Sequence, residues 1–112
     1  MDGVSEPAVP AVPVSAVPAE AVVLDVREDD EWAAGHASGA LHIPLSDVPA
    51  RAGELPGGLV HVICRSGGRS ARAVAWLNQN GHDATNIEGG TVEWAQQGRP
   101  MTAEGPDAPT VA

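Results

Sequence analysis

A chain of 112 residues suffices for one domain of ordinary size and not for two, and a hydrophobic share of 43% suits a small packed core. Fifteen acidic residues stand against six basic ones, all arginine, for a net charge of −9; a general nucleic-acid binder is excluded for want of a basic face. No apolar run approaches the ~20 residues of a membrane span, and the opening MDGVSEPAVP lacks the basic start and apolar stretch of a secretory leader.

Pro7, Pro10, Pro13 and Pro18 favour an extended start, so residues 1–8 read as a flexible arm and Val12–Val14 as a short edge strand. Ala21–Val26 (AVVLDV) is a β-branched run suited to a buried parallel strand. Asp29–Ala34 opens with acids and reads as a short helix ended by Gly35. Ala40–Ile43 is a second short strand stopped by Pro44. Ser46 is placed to cap a helical turn through about Ala52, before Pro56-Gly57-Gly58 breaks the chain. Leu59–Ile63 (LVHVI) is the next strand. A loop from Cys64 to Arg69 leads into a helix over Ser70–Asn80, with Ala71, Val74, Ala75 and Leu77 at helical spacing and Asn80-Gly81 as its end. Ala84–Ile87 is the last strand, Gly89-Gly90 a turn, and Thr91–Gln97 the last helix; residues 102–112 read as a disordered tail. Strands alternating with helices predict an α/β domain over residues 9–101, with a mainly parallel sheet and right-handed crossovers.

The chemistry concentrates at Cys64. It is the only cysteine, so no disulfide can form within the chain, and a lone thiol fits a reducing, cytoplasmic setting. Arg65, Arg69 and Arg72 follow within eight residues, half of all the arginines. In open parallel sheets ligands sit beyond the carboxyl ends of strands, where a loop feeds a helix, and CRSGGRS occupies such a place. Gly67 and Gly68 allow backbone conformations closed to other residues, so successive amides can turn inward as an anion nest, reinforced by the positive end of the following helix. A thiol so placed should ionise below its usual pKa of ~8.5, in the range of roughly 3.5–7.5. The same devices then activate a nucleophile and hold an anionic substrate.

The stretches VVLDVREDDEWAAGHASGALHIPL and HVICRSGGRSARAVAWLNQNGHDATNIEGGTVEWAQQGRPM resemble single-domain rhodaneses (thiosulfate sulfurtransferases) over roughly residues 12–101. Both the DVR…E-W…GH…GA…IP pattern and the C-R-S-G-x-R-S loop stand at family spacing; Ala37-Ser38 departs from the commoner Ile-Pro. The resemblance implies an α/β fold with a central five-stranded, mainly parallel sheet flanked by helices. It implies that Cys64 is catalytic and carries a persulfide. It further implies that Arg65, Ser66, Gly67, Gly68, Arg69 and Ser70 bind the donor, with Arg69 at the position that holds its anionic end. Phosphatases of related fold have five residues between cysteine and arginine; here there are four, a tighter cradle suited to one sulfur atom.

The expected reaction takes a sulfane sulfur from a small anionic donor such as thiosulfate and passes it to an external thiol or cyanide. With no second cysteine, the acceptor must come from outside. The alternative is a persulfide carrier serving a partner protein in sulfur trafficking. No cofactor is required, and the scattered His36, His42, His61 and His82 lack metal-ligand spacing. Asp25 and Arg27 are expected to support the site, Arg27 by pairing with Glu31 or another acid. His36 reads as a hydrogen-bonded turn residue. Trp32, Trp76 and Trp94 read as core or rim anchors, with Trp76 also able to line a pocket.

Overall fold

The structure, a computed structural model, describes residues 8–112. The expected flexible arm falls outside the described residues except for Ala8. Five strands form one sheet: β1 (Ala11–Pro13), β2 (Val22–Asp25), β4 (Leu41–His42), β5 (Leu59–Ile63) and β6 (Asp83–Glu88). Their order is β1-β6-β5-β2-β4, and every pairing is parallel. Pro13 fits at the edge, where its missing N–H costs no ladder bond. The helices are α1 (Asp29–Ala34), α2 (Val48–Arg51), α3 (Gly68–Gln79) and α4 (Gly90–Gln96).

Period-two alternation divides the apolar residues between two faces. Leu24, Val60, Val62 and Ala84 pack with Ala73, Val74 and Leu77 of α3 on one side. Val23, Ile63 and Ile87 pack with Val14, Val17 and Trp94 of α4 on the other. The chain leaves β2 toward β4 on one side of the sheet's middle and β5 toward β6 on the other. The loops after β2 and β5 therefore part, and the crevice between them lies at the carboxyl end of the sheet.

Two local expectations change. The segment after Pro44 is not one helix capped by Ser46. It runs as a 3-10 turn (Leu45–Asp47), then α2, then a second 3-10 turn (Ala52–Glu54), and Ser46 makes no capping bond. Pro49, at the start of α2, has no N–H to continue a regular ladder through this stretch. The tail is not structureless. Met101–Thr102 forms β7, antiparallel to β3 (His36–Ala37). Beyond it, the Glu104 and Thr110 amides donate to the carbonyls of Ala33 and Ala34 at 3.0 and 2.9 Å. The last carbonyls of a helix lack intrahelical partners, and the tail satisfies two of them.

Candidate active site

Cys64 follows β5 at the floor of the crevice, and its residue is 1% exposed. Cys64 shares the α3 face and its apolar cluster with Val62, yet two polar groups also reach its sulfur. The Gly67 amide donates to Sγ at 3.1 Å, and the Ser70 hydroxyl lies 3.3 Å away. Gly67 is the N-cap of α3, with φ +119°, a left-handed conformation that glycine adopts without strain. That twist folds the loop back over the sulfur. Among the described residues, the amides of Arg65, Ser66, Gly68, Arg69 and Ser70 have no protein acceptor. The loop thus combines one donor already on the sulfur with five open ones.

The carbonyls of the same loop are held from behind. Thr91 and Val92, in the first turn of α4, donate their amides to the carbonyls of Cys64 (2.9 Å) and Arg65 (3.2 Å). Gly90 makes this approach possible: its φ is +58°, and a Cβ there would collide with the Cys64 and Arg65 carbonyls. The Gly67 carbonyl accepts from Ala71 N–H at 3.1 Å and Asn86 Nδ2 at 3.2 Å, with Ser70 Oγ also 3.2 Å away. Asn86 also accepts from Ser70 Oγ through Oδ1, at 2.5 Å. Sequence reasoning passed over Asn86. The available signal was a polar residue two positions from Ala84, hence on the inward α3 face of a strand adjacent to β5.

Arg27 takes an acid as expected, and the structure settles which one. Arg27 does not pair with Glu31. It pairs with Asp25, Nε and Nη2 reaching the carboxylate at 2.8–3.1 Å, while Nη2 also reaches the Gly35 carbonyl at 2.6 Å. Both side chains are fully buried. Glu31 instead takes Arg69 through both oxygens, at 2.7 and 2.9 Å, and receives the Glu28 amide. The Arg69 bond is the main reason that the Glu31 carboxyl is held down from 4.5 to about 2. In return, the Glu31 bond chiefly raises Arg69. Arg69 therefore stands beside the loop already occupied by an acid, with guanidinium hydrogens to spare. Arg65 and Ser66 are exposed at the rim, and Arg65 has no acidic partner among the described residues.

His36 is the expected bonded residue: Nδ1 meets the Trp32 carbonyl at 2.7 Å. Trp32 is stacked against both His36 and His42, with ring centroids 3.4 and 4.7 Å apart. Among the described residues no group of three or more His, Cys, Asp or Glu is arranged to hold a metal, and no helix is long and apolar enough to cross a membrane.

A thiol wrapped by a four-residue glycine loop, at the carboxyl end of a five-stranded parallel sheet, defines a rhodanese-type site. The comparisons agree, for the rhodanese-like domain family matches residues 15–97, and the chain belongs to that family. It is 37% identical over 86 residues to a sulfurtransferase of Allochromatium vinosum, covering 75% of this chain and 80% of that protein. Its fold superposes on a rhodanese-like domain protein from Staphylococcus aureus with a TM-score of 0.75 at 27% identity, over 86% of this chain and 99% of that one. The protein SSP1007 of Staphylococcus saprophyticus gives a TM-score of 0.73 at 33% identity, over 80% and 96%.

Proposed function

We propose that the protein is a sulfurtransferase that carries a sulfane sulfur on Cys64, taking it from thiosulfate or a similar small anionic donor. The observation that carries this is the loop itself: a sulfur held by the Gly67 amide, in a loop whose five further amides have no protein acceptor among the described residues. Such donors favour a thiolate and then the terminal charge of a persulfide. The Cys64 thiolate attacks the outer sulfur of thiosulfate; the S–S bond of the donor breaks and sulfite leaves with the electron pair. A thiolate or cyanide then attacks the outer sulfur of the persulfide, and Cys64 leaves as thiolate. Covalent catalysis of this kind has two half-reactions and ping-pong kinetics.

Arg65, open at the rim, meets the donor anion first. Arg69 contributes its charge from beside the loop while Glu31 fixes its position. Ser70 and Asn86 hold the loop closed, and the buried Asp25–Arg27 pair supports the end of β2 next to it. A lone thiol that must stay reduced suits the cytoplasm. The same absence of a resolving cysteine favours, as a second reading, a carrier that hands its persulfide to a partner protein.

Intact mass after incubation with a donor panel tests the assignment. Wild type gains one sulfur atom from thiosulfate, Arg65→Ala gains it more slowly, and Cys64→Ser gains none. Equal labelling of Cys64→Ser overturns it. Fast discharge to protein thiols combined with negligible turnover on cyanide selects the carrier.

A further inference from the structure

We infer that a cavity beside the loop binds the organic acceptor of the second half-reaction, a small thiol with a short apolar chain and a carboxylate. This rests on the sulfurtransferase reading. The cavity has a volume of about 220 Å³ and is lined by Leu45, Val48, Pro49, Arg72, Ala73 and Trp76. The Leu45 amide bonds to the Val26 carbonyl at 3.0 Å, which fixes that wall just past the carboxyl end of β2, the strand paired with β5. Val48 and Ala73 place the cavity on the α3 side of the sheet, the side to which Cys64 also belongs.

Helical spacing does the rest. Arg69, Arg72, Ala73 and Trp76 stand at i, i+3, i+4 and i+7 of α3, so one face runs from the loop into the cavity. Thiosulfate has no apolar surface for walls of Leu, Val, Pro and indole, whereas an organic thiol has. Arg72 is exposed at the edge and, among the described residues, makes no ion pair, so it selects a carboxylate at the far end of the chain. The volume lies below the ~300–1,000 Å³ of pockets for drug-sized ligands, which favours a small molecule over a folded segment.

Protein loaded with thiosulfate is discharged by ω-mercaptohexanoate, ω-mercaptohexanol and cyanide, using wild type, Arg72→Gln and Trp76→Ala. In wild type the carboxylate thiol has a KM lower than the alcohol thiol by about tenfold, the scale of one charge-assisted hydrogen bond. Arg72→Gln abolishes that difference, and Trp76→Ala raises both KM values relative to cyanide with little change in kcat. Separately, hexanoate, which has no thiol, is titrated into unloaded protein, and the Trp76 indole N–H is followed by NMR. It shifts on titration in wild type and stays still in Arg72→Gln. If Cys64 loads but neither thiol is preferred and hexanoate leaves Trp76 unmoved, the cavity assignment is overturned, including when a protein acceptor discharges the persulfide well. If hexanoate binds as described but Cys64 never loads, the cavity stands as a carboxylate site and the sulfurtransferase reading falls.

Discussion

At the scale of single residues, the site depends on which way the peptide groups of the loop face. Asn86 and Gly90 control this without touching a substrate. Asn86 uses both ends of its amide, one on Gly67 and one on Ser70, so Asn86→Ala leaves the loop with two unmade buried bonds. Stability should fall by about 1–3 kcal/mol in urea unfolding, and single-turnover sulfur loading should slow in parallel. A variant as stable and as fast as wild type would remove Asn86 from the account. Gly90→Ala asks more of the backbone, because the new methyl needs space that two carbonyls occupy. A loss of at least about 1–2 kcal/mol is expected, from the left-handed φ alone and before any shift of the loop. Neither residue stood out in the sequence. Cys64, Gly67 and Arg69 did, because a nucleophile, a flexible backbone and a cation lie within one short run. Asn86 acts through pairing with a strand that is distant in sequence, and Gly90 read only as a turn.

Between elements, the Glu31–Arg69 pair joins the start of α1 to the first turn of α3, across the mouth of the loop. A carboxyl held below its unfolded value stabilises the fold at pH above about 4.5, and that contribution disappears as the pH falls toward 2. The pair is partly exposed, so its worth is about 1–2 kcal/mol. Glu31→Gln should therefore flatten the decline in stability between pH 4.5 and 2, measured by urea midpoints at each pH; an unchanged slope contradicts the pairing. The helices and strands themselves were largely legible. Asp29–Ala34 and Leu59–Ile63 match the expected limits residue for residue, since acids, glycines and β-branched runs are local signals. The choice of Asp25, not Glu31, as the partner of Arg27 was not legible. It follows from the geometry of residues two apart where the chain leaves β2, and periodicity does not report it. The tail escaped for a similar reason: its order comes from unsatisfied carbonyls at the end of α1, not from its own composition. Deleting residues 101–112 should lower the thermal midpoint by a few degrees, as expected for roughly 1 kcal/mol in a domain of this size, and expose the β3 edge to amide exchange.

Over the whole molecule, an acidic protein with no lysine keeps its few cations where chemistry requires them: three of six arginines lie on or just after one loop. The parallel sheet parts its loops at the centre, α3 aims its amino end at the sulfur, and α4 anchors the loop from behind. The family match over residues 15–97 and the superpositions on rhodanese-like folds are the expected consequence of that architecture. The cavity along α3 extends the proposed site from an atom-sized cradle toward a second substrate; of its lining, Trp76 was legible in the sequence, whereas the facing wall from Leu45, Val48 and Pro49 depends on how the chain folds back. The central claim is that one sulfur atom rests on Cys64 between two outside molecules. Thiosulfate labelled in its outer sulfur tests this most directly, by following label into the Cys64 peptide and then into an added thiol. The account predicts stoichiometric label on that peptide, chased completely by the thiol and absent from Cys64→Ser. Label that reaches the thiol without passing through Cys64 would contradict it.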